Sequence, residues 1–136
     1  MQQLQMKMQE QLAQPEHKGH SGVTELVLTK QSPDQRMLLL PMIAHLSQQA
    51  DRWITWIAPG PIERQQLESY GIDTLKLRII NSQSEETNTW MLWDALNNGT
   101  SHTVIGTVSK LNDQAITQLE EAAQNGNAKA LLVRYR

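Results

Sequence analysis

A chain of 136 residues, 39% of them hydrophobic, has room for one domain with a buried core. Its formal net charge of -2 and pI near 6.1 give no basic footprint, which disfavours nucleic acid as a partner. The absence of cysteine removes disulfides, thiol nucleophiles and cysteine-held zinc, and it fits a reducing cytoplasm.

The opening Met1-Gln2-Gln3-Leu4-Gln5-Met6-Lys7-Met8 has no continuous apolar core, so no signal peptide is expected. No stretch reaches the roughly 20 apolar residues of a membrane span, and no membrane partner is expected. Residues 1–22 are Gln-rich and poor in β-branched and aromatic residues, the composition of a flexible leader. Leu4, Met8 and Leu12 have helical spacing, but an isolated helix of this length is marginal. Gly19-His20-Ser21-Gly22 superficially resembles a nucleophile elbow. Its second glycine comes one residue early and the segment precedes the first strand, so it is set aside.

From residue 23 to 136 the pattern alternates strand and helix. Thr24–Thr29 reads as a strand, and Arg36–Leu46 as the helix after it. Ser32-Pro33-Asp34-Gln35 supplies a capping box with proline in the first turn, and Pro41 inside the apolar run predicts a kink. The junction Lys30-Gln31-Ser32-Pro33-Asp34 contains no glycine and carries an acid where an anion would sit. A phosphate cradle needs backbone N–H groups brought close by glycine, so the segment points to binding rather than turnover.

Trp53–Ala58 is the second strand, broken by Pro59-Gly60-Pro61, with a short helix from Ile62 to Tyr70 closed by Gly71. Leu75–Ile80 alternates with period 2. The next helix, capped near Ser82–Glu85, carries Trp90, Met91, Trp93, Ala95 and Leu96 on its apolar stripe and ends at Gly99. His102–Val108 is a fourth strand. Asn112-Asp113 starts a helix stopped at Gly126, and Lys129–Tyr135 is a fifth strand. This alternation predicts a single α/β domain with a mostly parallel, open sheet flanked by helices on both faces.

No constellation supplies catalysis or a cofactor site. His17, His20, His45 and His102 lack metal-ligand spacing, and Glu85-Glu86 and Glu120-Glu121 read as solvated helix faces. In a chain without phenylalanine, tryptophan is expected to fill the core at two or more of positions 53, 56, 90 and 93. Lys76 and Arg78 share a strand face by parity, and Arg52 immediately precedes the neighbouring strand. Together with segment 58–61 they suggest a basic, partly apolar docking patch. The apolar run 37–46 exceeds what one sheet face needs and suggests a homodimer contact.

Across residues 23–134 the chain resembles the SulA family of SOS-induced cell division inhibitors. The resemblance rests on Leu38-Leu39-Leu40-Pro41, Gln48-Gln49-Ala50-Asp51-Arg52-Trp53 and the strand to Ile57. It continues through Gly71 to Lys76, Val104-Ile105-Gly106 and Ala122-Ala123-Gln124-Asn125-Gly126-Asn127-Ala128. It implies a RecA-like fold without a phosphate-binding loop, no enzymatic activity and no cofactor. It also implies a cytoplasmic target, the tubulin-like GTPase FtsZ, whose polymerisation would be blocked by capping or sequestering subunits. Arg52, Ile57 and Lys76 match positions the family uses against FtsZ, with Trp53 beside them. On this reading, removing Arg52 and Lys76 together weakens FtsZ binding and spares stability. Lon protease is the implied degradation machinery, although the chain ends at Arg136 without the longer tail some relatives use as a signal. Gln66 stands where the family pattern expects an aromatic. A degenerate RecA-like nucleotide binder or an adaptor with another partner is the alternative.

Overall fold

In the computed structural model the described residues are 22–29, 35–81, 84–109 and 111–135. The leader through residue 21, the junction 30–34 with its capping box, and Ser82-Gln83 lie outside them.

The described residues form five strands: β1 (Val23–Leu28), β2 (Trp53–Ile57), β3 (Leu77–Ile80), β4 (Ser101–Thr107) and β5 (Lys129–Tyr135). Among the described residues the helices are α1 (Leu40–Gln49), α2 (Arg64–Ser69), α3 (Glu85–Asn97) and α4 (Asp113–Gly126), with a 3-10 turn at Gln35–Leu38 before α1. The sheet order is β1-β5-β4-β2-β3 and every pairing is parallel.

Strand parity divides the core in two. Ile54, Trp56, Ile105, Leu131 and Val133 leave one sheet face and pack with Leu40, Ile43 and Leu67 of α1 and α2. Ile57, Val104, Ala130 and Leu132 leave the other and pack with Leu92, Leu96, Leu119 and Ala123 of α3 and α4. The central strands β4 and β5 therefore need apolar residues on both sides, which is why they read as continuous runs.

Local chemistry sets the helix ends. Ser84 caps α3 by accepting from the Thr87 N–H, and Asn112 caps α4 by accepting from the Ala115 N–H. Helix α4 closes through Asn127 in the left-handed conformation at φ 50°. Ser47, fully buried, donates to the Ala44 carbonyl and accepts from the Asp73 N–H, tying α1 to the loop before β3.

Two expectations change. Pro41 occupies the first turn of α1, where its missing N–H costs nothing, so it starts the helix instead of kinking it. Of the four tryptophans only Trp56 is buried, at 2% exposure, whereas Trp53, Trp90 and Trp93 stand 40%, 63% and 38% exposed. Leucine and isoleucine fill the space, and the inward stripe of α3 is Leu92, Ala95 and Leu96. The apolar run 37–46 spends Leu39, Leu40, Ile43 and Ala44 on the sheet and leaves Leu38 56% exposed.

Candidate functional site

The amino-terminal edge of the sheet gathers three of the four sequence-selected residues. Arg52 ends the loop into β2, Trp53 begins that strand, and Lys76 directly precedes β3. The Ile54 N–H donates to the Lys76 carbonyl at 2.8 Å, so backbone pairing fixes their separation. A turn before β3, held by Lys76 N–H to the Asp73 carbonyl and Leu75 N–H to Asp73 Oδ1, thrusts Leu75 into solvent at 78% exposure. The result is a recess of about 310 Å³ lined by Asp51, Arg52, Trp53, Leu75, Lys76 and Thr100.

Its cations have different occupations. Arg52 reaches across to three backbone carbonyls: Nη1 donates to Gly99 and Gly126, and Nη2 donates to Asn127 at 2.6 Å. These carbonyls belong to the ends of α3 and α4, where helix geometry leaves oxygens unpaired and the dipole is negative. Arg52 thus caps two helices at once. Arg78 lies over the Trp53 ring, 5.7 Å from its centroid, and its Nη2 donates to the Thr55, Thr100 and Ser101 hydroxyls. That cation–π contact holds the half-exposed indole in place. Lys76 differs: among the described residues its side chain has no hydrogen bond or ion pair.

Ile57 does not join this patch. It lies at the far end of β2, 1% exposed, within the α3–α4 core. Parity directs it inward and the strand length carries it to the opposite edge. Its influence on any partner must pass through packing. Arg52 also revises the expectation that its removal spares stability, because the fork it supplies binds helix ends 47 and 74 residues away. Sequence signals for this were available only in part: Gly99 and Gly126 mark helix ends, but nothing local says which cation serves them.

Charge around the recess is coupled. The Arg52 guanidinium, 3.2 Å from Asp51, holds that carboxyl below its usual 3.8. Burial pushes His102, at the start of β4, below the ordinary 6.5, and the Lys129 charge adds to this. A depressed imidazole pKa means the unfolded chain binds that proton more readily, so stability falls as pH drops below 6.5. The expected outcome is that His102→Gln flattens this part of the profile. Melting curves of both proteins between about pH 5 and 8 check it, and parallel curves would refute it.

Among the described residues no three His, Asp or Glu side chains converge to hold a metal. None of the described helices is long and apolar enough to cross a membrane.

The family model described as cell division inhibitor SulA matches residues 21–130 of this chain. The chain belongs to the SulA family. SulA of Serratia marcescens is 28% identical over 118 residues, covering 86% of this chain and 70% of that one. SulA of Pseudomonas aeruginosa is 32% identical over 99 residues, covering 71% of this chain and 62% of that one. The match therefore spans about two thirds of these relatives' length. The crystal structure of the Pseudomonas aeruginosa SulA superposes with a TM-score of 0.76 at 30% identity, over 85% of this chain and 98% of that one. The α/β architecture expected from the alternating pattern is thus that of a SulA, and membership places the chain among cell division inhibitors.

Proposed function

We propose that this chain arrests division, as part of the SOS response to DNA damage, by binding cytoplasmic FtsZ and blocking its polymerisation. Head-to-tail filaments grow through two different faces of each subunit, so a domain covering one face stops growth with no chemistry. A standard interface needs about 800 Å² from each partner, within reach of a domain of this size. Lon remains the proposed route of turnover.

The observation that carries the reading is the amino-edge recess in a SulA-family fold. It combines an exposed leucine, a pre-positioned indole and a lysine whose charge is uncommitted among the described residues. Trp53, Leu75 and Lys76 supply the contact, since aromatic anchors with a polar rim are the usual centre of an interface. Arg52 and Ile57 act behind it, one by stapling the loop and the other by packing β2.

The test is sedimentation of FtsZ polymers with GTP in the presence of the chain. Wild-type chain is expected to abolish pelleting at equimolar ratio. Lys76→Glu is expected to raise the concentration needed by about tenfold or more, with an unchanged melting temperature. Undiminished inhibition by Lys76→Glu would remove the site. Normal pelleting in molar excess of wild-type chain would remove the function.

A further inference from the structure

The sequence contains two Asn-Gly pairs, Asn98-Gly99 and Asn125-Gly126. Each stands at the end of a helix, and the glycine of each supplies a carbonyl to Arg52. Asparagine is a chemically labile residue. Its carboxamide is most open to attack by the next backbone nitrogen when glycine follows, because no Cβ obstructs the approach. The attack also needs a nitrogen that is not held in a hydrogen bond and a carboxamide that lies back towards it.

The fold separates the two pairs on these grounds. Gly126 is the last residue of α4, so its N–H is committed to the helix ladder. Gly99 lies beyond α3 with φ 81°, and its N–H has no hydrogen-bond partner among the described residues. Space around Gly99 is open, since a Cβ built there would meet no atom within 4 Å. The exposed Asn98 side chain folds back across the Gly99 peptide, its Oδ1 accepting from the Thr100 N–H at 2.9 Å and the Thr100 hydroxyl at 2.7 Å. Two donors on that oxygen draw charge from Cγ and stand where negative charge gathers when a nucleophile adds to it. Asn125 instead engages its nitrogen, Nδ2 donating to Asn97 Oδ1 at 3.2 Å.

We propose that Asn98 is a site of spontaneous deamidation, selected over Asn125 by the folded structure, and that its conversion loosens the Arg52 staple. The Gly99 nitrogen gives its proton to a solvent base and bonds to Asn98 Cγ. The Cγ–Nδ2 bond breaks, and Nδ2 takes a proton from water and leaves as ammonia. The product is a five-membered succinimide. Water then adds to one of its two carbonyls and opens the ring, giving aspartate or isoaspartate at position 98. The net change consumes one water and releases one ammonia, with no change of oxidation state.

Either product places a negative charge at the carboxyl end of α3, where the dipole is already negative. The isoaspartate also routes the main chain through the side chain and so adds a methylene before Gly99. The Gly99 carbonyl accepts from Arg52 Nη1 at 3.2 Å, so the added length displaces one of the three carbonyls that the guanidinium holds. Thr100, next in the chain, lines the recess with Arg52 and Trp53. Conversion at Asn98 is therefore an ageing mark on this corner, whether or not the recess binds FtsZ.

Incubation of the full chain at mildly alkaline pH, followed by peptide mapping with mass spectrometry and by ammonia release, tests it. Attack at Gly126 first requires the last turn of α4 to open. Conversion at Asn98 is therefore expected to be about tenfold or more faster than at Asn125 in the folded chain. In denaturant, where only the local sequence acts, the two rates are expected to converge. Thr100→Val keeps the backbone donor, removes the hydroxyl and is expected to slow conversion several-fold. After ageing, amide NMR of the converted fraction is expected to show shifts at Arg52, Trp53 and Asn127. Asn98→Gln, aged alike, is expected to show no such change. Absence of conversion at Asn98 overturns the site, as do equal rates in the folded chain or a preference for Asn125. An unslowed Thr100→Val overturns the part given to the oxygen's donors. Converted chain with unmoved amides at Arg52, Trp53 and Asn127 overturns the link to the staple.

Discussion

Arg52→Ala is expected to lower the unfolding free energy by about 3 kcal/mol and the melting temperature by about 10 °C. The reasoning starts from the carbonyls it serves. Gly99, Gly126 and Asn127 stand at helix ends that no backbone N–H can serve, and Arg52 donates to all three. Hydrogen bonds from a charged donor contribute about 1.5–3 kcal/mol each, but the side chain is 24% exposed and water replaces part of the loss. Arg52→Lys restores the charge without the planar fork and is expected to recover under half of the stability. Thermal and denaturant unfolding of the three proteins would decide it. A melting temperature unchanged in Arg52→Ala would mean the staple contributes nothing. Any loss of FtsZ inhibition by Arg52→Ala therefore has to be compared with Lys76→Glu, which leaves the fold alone.

Gly126→Ala is expected to cost at least about 3 kcal/mol, at the upper end of overpacking effects. A Cβ at this position would lie 1.7 Å from the Leu96 carbonyl oxygen and 2.9 Å from its carbon. Both atoms are backbone, so no rotamer change relieves the clash and α3 must separate from α4. That separation withdraws Leu92, Leu96, Leu119 and Ala122 from one another. It also moves the Gly126 carbonyl away from Arg52. The double variant Arg52→Ala, Gly126→Ala should then lose less than the sum of the single losses, because both act on one corner. Denaturant titration with near-ultraviolet circular dichroism reads both the cost and the loosened packing. Wild-type stability in Gly126→Ala would contradict the close approach of the helices.

How much of this was legible beforehand depends on distance along the chain. Asn112 and Gly126 bounded α4 in the sequence because capping is a matter of three or four consecutive residues. Trp53 and Trp56 were separable to opposite sheet faces by parity. Parity could not say that one of them meets α1 while the other stays half exposed under Arg78. Arg78 looked like a rim charge because its hydroxyl partners, Thr55, Thr100 and Ser101, lie on other strands and loops. Ile57 was grouped with Arg52 and Lys76 by the family resemblance alone, and it stands five residues beyond Arg52. In an extended strand that separation spans about 16 Å, enough to put it at the opposite edge.

The order of elements, their caps and the inward or outward sense of each strand residue were set by the sequence itself, since all depend on periodicities of 2 and 3.6 residues. Strand order, the double helix cap by Arg52 and the depth of Ile57 were decided only in three dimensions. Each of them joins residues brought together by crossovers, and the spacing within a segment carries no information about which segment will lie beside it.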